Sequence, residues 1–314
     1  MEILRENSIP PQSKAVATIG FFDGVHCGHR FLLSQVESMA RSRGCVSMAV
    51  TFERHPADVL NPGTVKPLLT TFDERCALLE KAGVDYCAVI DFTPELSRLS
   101  AMDFMKEYLV KRFNVATLIV GYDHSFGHDK GSTFDDYRRE GEQVGLEVVQ
   151  AGKFTVPGGL KVSSTQIRHR LTEGNVEAAA LMLGRCYSLG GAVVEGHRVG
   201  RRIGFPTANI DAFSLHKIIP ARGVYACVAH VGGAAYAAVV NIGTRPTVHN
   251  GNDTSVEAYL IGFSGDIYGS MLEVEFVSRL RDERQFQSLD ELRAQIDLDA
   301  HKAADVVKDR LSLL

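Results

Sequence analysis

Along the first half of the chain, short apolar runs alternate with stretches whose apolar residues recur at helical spacing. Val16 to Ile19 is β-prone and apolar, and reads as a strand buried on both faces. From Gly28 the apolar residues fall at Leu32, Val36, Met39 and Ala40, one face of a helix. Cys45 to Phe52 is a second run of strand length. Pro56 bars regular structure after it, and the segment to Leu69, with Pro62, Gly63 and Pro67, reads as loop. Thr71 and Glu74 have capping-box spacing and open a helix with Leu78, Leu79 and Ala82, ended by Gly83. Tyr86 to Phe92 is a third strand, Ser100 caps a helix to about Phe113, and Val115 to Val120 is a fourth strand. Strands alternating with helices predict parallel βαβ units in a doubly wound α/β sheet.

The pattern changes after a short helix at Asn175 to Leu183, closed by Gly184. Glycines multiply from Tyr187, and helical spacing does not return until about residue 288. Two domains are therefore expected, 1–184 and 185–314. Ser188 to Glu195 reads as a strand. Val224–Val231 and Ala235–Val240 form a hairpin turning at Gly232-Gly233. Val256–Phe263 and Met271–Phe276 read as a further pair turning near Ser264-Gly265-Asp266. Many short strands with glycine turns predict a small β-barrel. Ser288 and Glu291 then open a last helix whose stripe, Leu289, Leu292, Ile296, Ala300, Ala303 and Val307, packs on that barrel.

Composition narrows the class. The 314 residues are 45% hydrophobic and 23% charged, ordinary for a globular chain of two domains. A net charge of -4 without a basic cluster argues against a polynucleotide partner but admits a mononucleotide. No apolar run approaches the roughly 20 residues that span a bilayer, and no signal-peptide core is present. The six cysteines show neither Cys-x-x-Cys nor zinc spacing, which fits a reducing cytoplasm. The sequence leaves self-association open.

Chemistry concentrates first after Val16–Ile19. Gly20 and Gly24 let the chain turn sharply, and a strand, glycine turn and helix together aim N–H groups at one point, which suits a phosphate. His26 and His29 share one face of the first helical turn there. Preset donors and imidazolium groups would oppose charge developing on an α-phosphate. Asp123, in the turn after the fourth strand, is a candidate contact for the nucleotide or its metal, or a turn-forming aspartate. Ser163, Ser164 and Thr165 precede Arg168, which makes a second helix N-terminus with a guanidinium fork for phosphate oxygens, or a plain cap. The glycines do not spell Gly-x-Gly-x-x-Gly, and GlyHisAspLysGlySerThr lacks Walker spacing.

His26-x-Gly28-His29 resembles the signature of the nucleotidyltransferase superfamily. PheAspGlyValHis-x-GlyHis together with SerSerThr-x-IleArg resembles the adenylyltransferase module of bacterial FAD synthetases. The resemblance implies a Rossmann-like domain in which Gly20, Phe22, Asp23, Gly24, Gly28, Ser164 and Arg168 meet ATP beside His26 and His29. GlyArgArg-x-GlyPheProThrAlaAsn, GlyValTyr, AsnIleGlyThrArgProThr and ValGluAlaTyr follow in the order found in riboflavin kinases. The whole resembles the bifunctional riboflavin kinase/FAD synthetase family. Riboflavin, FMN, FAD, ATP, pyrophosphate and Mg²⁺ are thereby implied. So are Glu257 as base on the ribityl hydroxyl, Asn241 and Arg245 as flavin contacts, and Arg201 and Gly204 at nucleotide. Thr207 and Asn209 are oxygen ligands suited to magnesium. An alternative keeps one site active and the other for binding only. Two departures stand out: Gly262 replaces an acid usual in the kinases, and His124-Ser125 replaces a Phe-Arg pair.

Overall fold

In the computed structural model, the residues described are all but 62, 64–65, 122–132, 155–160, 196–203, 213, 246–252 and 313–314. The chain divides into two units, Met1–Lys66 with Thr70–Val162, and Pro67–Leu69 with Ser163–Leu314. The helices at 164–172 and 176–183 thus group with the second unit, ahead of the compositional change at 184.

The first unit is an all-parallel sheet of six strands: β1 (Glu2–Leu4), β2 (Ala15–Ile19), β3 (Val46–Phe52), β4 (Tyr86–Ile90), β5 (Val115–Val120) and β6 (Glu147–Gln150). The spatial order is β1-β4-β3-β2-β5-β6. Chain direction across the sheet therefore reverses between β2 and β5, the crevice where such sheets bind ligands. β2 is buried along its whole length, as expected for a strand with covered faces. Helix α1 (Cys27–Arg43) packs Leu33, Val36 and Ala40 inward and stops at Gly44, whose φ of 64° suits glycine. The capping box at Thr71 and Glu74 is present, and opens α3 (Phe72–Lys81).

One reading of this half needs correction. Pro56 does not end regular structure: it occupies the first turn of a short helix, α2 (Pro56–Leu60), where its missing N–H costs nothing. His55 caps that helix, its Nδ1 accepting from Ala57 N at 3.0 Å. The helix from Ser100 runs as α4 (Ala101–Phe104) and continues in widened turns over Met105–Arg112. β1 and β6 are edge strands of three and four residues that the apolar pattern passes over.

The second unit begins with α6 (Ser164–Thr172) and α7 (Val176–Leu183); α5 (Phe134–Val144) precedes them in the first. Six antiparallel strands close the barrel: β7 (Tyr187–Val194), β8 (Thr207–Ile210), β9 (Gly223–Val231), β10 (Ala234–Arg245), β11 (Asp253–Leu260) and β12 (Met271–Arg281). Their circular order is β10-β11-β8-β7-β12-β9. The hairpin turning at Gly232-Gly233 is present. β11 and β12 do not pair with each other, contrary to expectation: β11 lies between β10 and β8, and β12 between β7 and β9. Tyr187 and Tyr225 meet Phe276. On its other face β9 presents Val224, Ala226 and Val228 to α8 (Leu289–Leu311), which buries Ala300, Ala303 and Val307 against them. Leu289, expected in the same stripe, is 60% exposed.

A buried ion pair fixes α8. Arg281 Nε and Nη2 donate to Asp299 Oδ2 at 3.0 and 2.8 Å, and Gln295 Nε2 donates to Oδ1 at 2.7 Å. Asp299 is 1% exposed. Asp299→Ala strands the guanidinium, so it is expected to destabilise the second unit by about 3–5 kcal/mol, read from urea unfolding. No helix among the described residues is long and apolar enough to cross a membrane.

Candidate active sites

The first site is built on the turn leaving β2. Phe22, Gly24 and Val25 have φ of 55°, 77° and 36°. Positive φ is uncommon in a non-glycine residue and exceptional in a β-branched one such as Val25. Each such residue costs about 1–3 kcal/mol and persists only where its surroundings hold it. Those surroundings are visible. Phe22 packs its ring edge-on to His29 with centroids 5.2 Å apart. Thr70 N and Oγ1 each donate to Asp23 Oδ1 at 3.1 Å, and Gly24 N donates to Thr70 Oγ1 at 3.0 Å. A Cβ on Gly20 would stand 3.1 Å from the Phe22 ring.

The histidines come together at the start of α1. Their rings stack with centroids 3.6 Å apart and 15° between planes. His26 is the helix cap, its Nδ1 accepting from His29 N at 3.2 Å. That bond places the proton of a neutral His26 on Nε2, so the ring can donate without carrying charge. A Cβ on Gly28 would sit 3.3 Å from the His26 ring, so glycine lets the ring lie over the helix end.

The turn differs from its expected form in one respect. Its amides were expected to aim at a phosphate, yet Gly24 N is given to Thr70 and Val25 N to the Phe22 carbonyl at 2.9 Å. Asp23 is likewise turned inward and 3% exposed. Phe22, Val25 and His26 are buried as well, and His29 at the start of α1 is half-buried.

Arg75 of α3 was not foreseen as part of this region. It is 0% exposed, lies 4.1 Å over the Phe21 ring, and donates from Nη2 to the Phe52 and Glu53 carbonyls at 2.6 and 3.2 Å. Burial pushes its guanidinium below the ordinary arginine range, and nearby Asp23 works against that push. It braces the ends of β2 and β3 from behind. Only its place one turn into α3 hinted at burial.

Ser163 caps α6, its Oγ accepting from Gln166 N at 3.3 Å, with Ser164 and Thr165 in the first turn. Arg168 Nε donates to the Pro67 carbonyl at 3.0 Å. These residues belong to the second unit, whereas His26 and His29 belong to the first. Asp123, with His124 and Ser125, lies outside the described residues.

The second site is set by strand register. Asn209 of β8 pairs with Glu257 of β11, and Glu257 pairs with Asn241 of β10. Three polar residues thus stand in one row across neighbouring strands. Thr207, two residues along, donates from Oγ1 to Glu257 Oε2 at 3.4 Å. Thr207, Asn241 and Glu257 line a cavity of about 260 Å³, together with Tyr259, Arg281, Glu283, Arg284, Phe286, Leu292, Ile296 and Asp299. Leu292 and Ile296 of α8 wall this cavity together with barrel residues. A second cleft, of about 360 Å³, is lined by Val193, Pro206, Ala208, Ala258, Leu260, Phe263 and Tyr268. Thr207 lines both. Strand alternation explains this: Glu257 and Tyr259 face one way, Ala258 and Leu260 the other.

Gly204 has a φ of 88°, and Gly262 a φ of 76° with open space around its Cβ position. The left-handed turn after β11 is the physical reason a glycine suits position 262. Arg201, with Arg198 and Arg202, lies outside the described residues; Arg245 ends β10, paired with Asp253.

A parallel sheet with paired histidines at its crossing point, followed in the chain by a closed barrel with a carboxylate set between two amides, fits a two-site transferase working on phosphates. A family model for FAD synthetase matches residues 8–166, and one for riboflavin kinase matches 183–307. The Escherichia coli K12 bifunctional riboflavin kinase/FMN adenylyltransferase is 37% identical over 92% of this chain and 91% of its own. The Bacillus subtilis relative of the same description is 34% identical over 93% and 92%. The chain belongs to the bifunctional riboflavin kinase/FMN adenylyltransferase family. A solved Streptococcus pneumoniae chain described as a macrolide-efflux protein shares the fold at TM-score 0.87 and 30% identity. It covers 96% of this chain and 98% of its own.

Proposed function

We propose that each activity of the family is carried by its own set of residues in this chain. The chain phosphorylates riboflavin with ATP to give FMN, and transfers AMP from ATP to FMN to give FAD and pyrophosphate. No feature favours the reading in which one site only binds, since both family models match and the groups for both steps are present.

For adenylyl transfer, an FMN phosphate oxygen attacks the α-phosphorus of ATP, and the bond to the β-phosphate oxygen breaks. His26 and His29 donate to the non-bridging oxygens, where negative charge grows. Gly20, Phe22, Gly24 and Gly28 shape the nucleotide face, with Asp23 holding the turn from inside. Ser163, Ser164, Thr165 and Arg168 are assigned to the triphosphate, and Asp123 to the nucleotide.

For phosphorylation, Glu257 accepts the proton of the ribityl 5′-hydroxyl as the hydroxyl oxygen bonds to the γ-phosphorus, and the bond from that phosphorus to the β-phosphate oxygen breaks to release ADP. Asn241 and Arg245 orient the flavin, and Arg201 and Gly204 lie along the nucleotide. The cavity with Tyr259 and Phe286 takes the flavin, and the cleft reaching Pro206 and Tyr268 takes the nucleotide. The row Asn209–Glu257–Asn241, with Thr207 where the two spaces meet, is the observation that carries this reading. Among the described residues no three His, Cys, Asp or Glu side chains gather as a metal site. The oxygens of Thr207 and Asn209 suit magnesium, which takes few protein ligands and several from phosphates. Bound there, magnesium would neutralise phosphate charge during transfer.

The functional boundary is placed at 184/185, and the enzyme in the cytoplasm, where all six cysteines stay free. Incubation of the purified protein with riboflavin, ATP and magnesium, followed by separation of the flavins, tests the reading. FMN and FAD are both expected; the absence of both refutes it.

A further inference from the structure

Two of the four described non-glycine residues with positive φ, Phe22 and Val25, lie in the turn that delivers His26. Val25 precedes His26 directly, so its backbone sets the direction in which the histidine leaves. A β-branched residue does not hold that conformation unaided. The contacts that enforce it converge on one hydroxyl. Thr70 Oγ1 donates to Asp23 Oδ1 and accepts from Gly24 N, and Thr70 N gives a second bond to the same carboxylate oxygen. Asp23 and Thr70 are each 3% exposed, so water does not substitute for either partner. A hydroxyl gives and takes at a single atom. A valine fills the same volume and does neither.

Thr70 is also well placed to act as an anchor. It stands next to Thr71, the cap of α3, so the turn is tied to a helix end. Leu79 of that helix belongs to the same buried cluster as Phe22, Val25 and Leu33. The clasp therefore joins the histidine turn to rigid structure on its inner side, directly before the stacked imidazoles.

We propose that Thr70 is a positioning residue for adenylyl transfer: its hydroxyl clasps Asp23 to Gly24 and thereby holds His26 and His29 in register with the α-phosphate. The inference rests on the reading that these histidines serve that step. Thr70 touches neither ATP nor FMN in this account, and acts through the turn.

The test compares Thr70→Val and Thr70→Ser in the full-length enzyme, with FMN and ATP supplied and FAD measured. Riboflavin phosphorylation by the same preparation counts active protein. Thr70→Val is expected to lower kcat for FAD formation at least about tenfold while KM for FMN and ATP moves less than about threefold. Thr70→Ser, which keeps the hydroxyl, is expected to stay within about threefold of the parent in kcat. The proposal is overturned if Thr70→Val keeps its kcat, if it changes KM alone, or if Thr70→Ser loses as much as Thr70→Val. Should Thr70→Val lose the thermal transition of the first unit, Thr70→Ala replaces it with the same expectation and the same refuting results. His29→Ala separates the two levels of failure. If it retains full FAD formation, the assignment of the histidines fails; if it is inactive while Thr70→Val is not, only the clasp fails.

Discussion

Replacement of His29 by alanine is expected to abolish FAD formation from supplied FMN while FMN formation from riboflavin continues. The loss should be large, on the order of 100–1,000-fold in kcat, because a preset donor to a developing oxyanion acts only in the transition state. Two features of the site sharpen the expectation. His29 stacks on His26 at 3.6 Å, so its removal also takes away the stacking partner of the ring that caps α1, while the cap bond from the backbone N of residue 29 remains. His29 and Glu257 lie in separate units, so the kinase step has no share in the loss. KM for ATP should change much less than kcat. A variant that still forms FAD at the parental rate would remove the histidines from the chemistry.

Glu257→Gln should give the reciprocal result. The amide keeps the shape of the carboxylate and its place between Asn209 and Asn241, but it cannot take the ribityl proton. Riboflavin phosphorylation is expected to fall about 100–10,000-fold, the range of general-base catalysis. FAD formation from supplied FMN should persist at the parental rate. The pair of variants, mixed in one tube with riboflavin and ATP, should restore FAD synthesis, because FMN released by one protein feeds the other. Failure of the mixture, with each variant active in its own remaining step, would mean that FMN does not leave the chain between steps.

Much of the first unit was legible because its signals are local. A strand, glycines and helical spacing around Gly20–Ala40 identify the histidine turn, and Thr71 and Glu74 mark a helix start that the structure contains. Edge strands β1 and β6 were not legible, since three or four half-exposed residues carry too little periodicity. In the barrel the strands themselves were visible, but alternation tells which face a residue takes and not which strand lies beside it. That is why the pattern alone joins β11 to β12, which the register separates. It is also why the row Asn209–Glu257–Asn241 appears only once register is known. Leu292 and Ile296 show a related limit: an apolar residue lining a cavity has the same pattern as one packed in a core. Thr70 was hidden by its neighbour, because Thr71 accounts for the helix start and leaves the preceding threonine without an evident task.

The ion pair beneath α8 has a consequence for ligand selection. Asp299 sits one turn beyond Ile296, and both face the cavity assigned to the flavin. Because Arg281 and Gln295 lock Asp299 on two sides, rolling or sliding the helix would break shielded polar contacts. The width of that chamber is thus gauged by a hidden charge and not by soft hydrocarbon. Dissolved ions screen so enclosed a pair far less than an exposed one, and the fit for the ring system should change little from dilute buffer to brine.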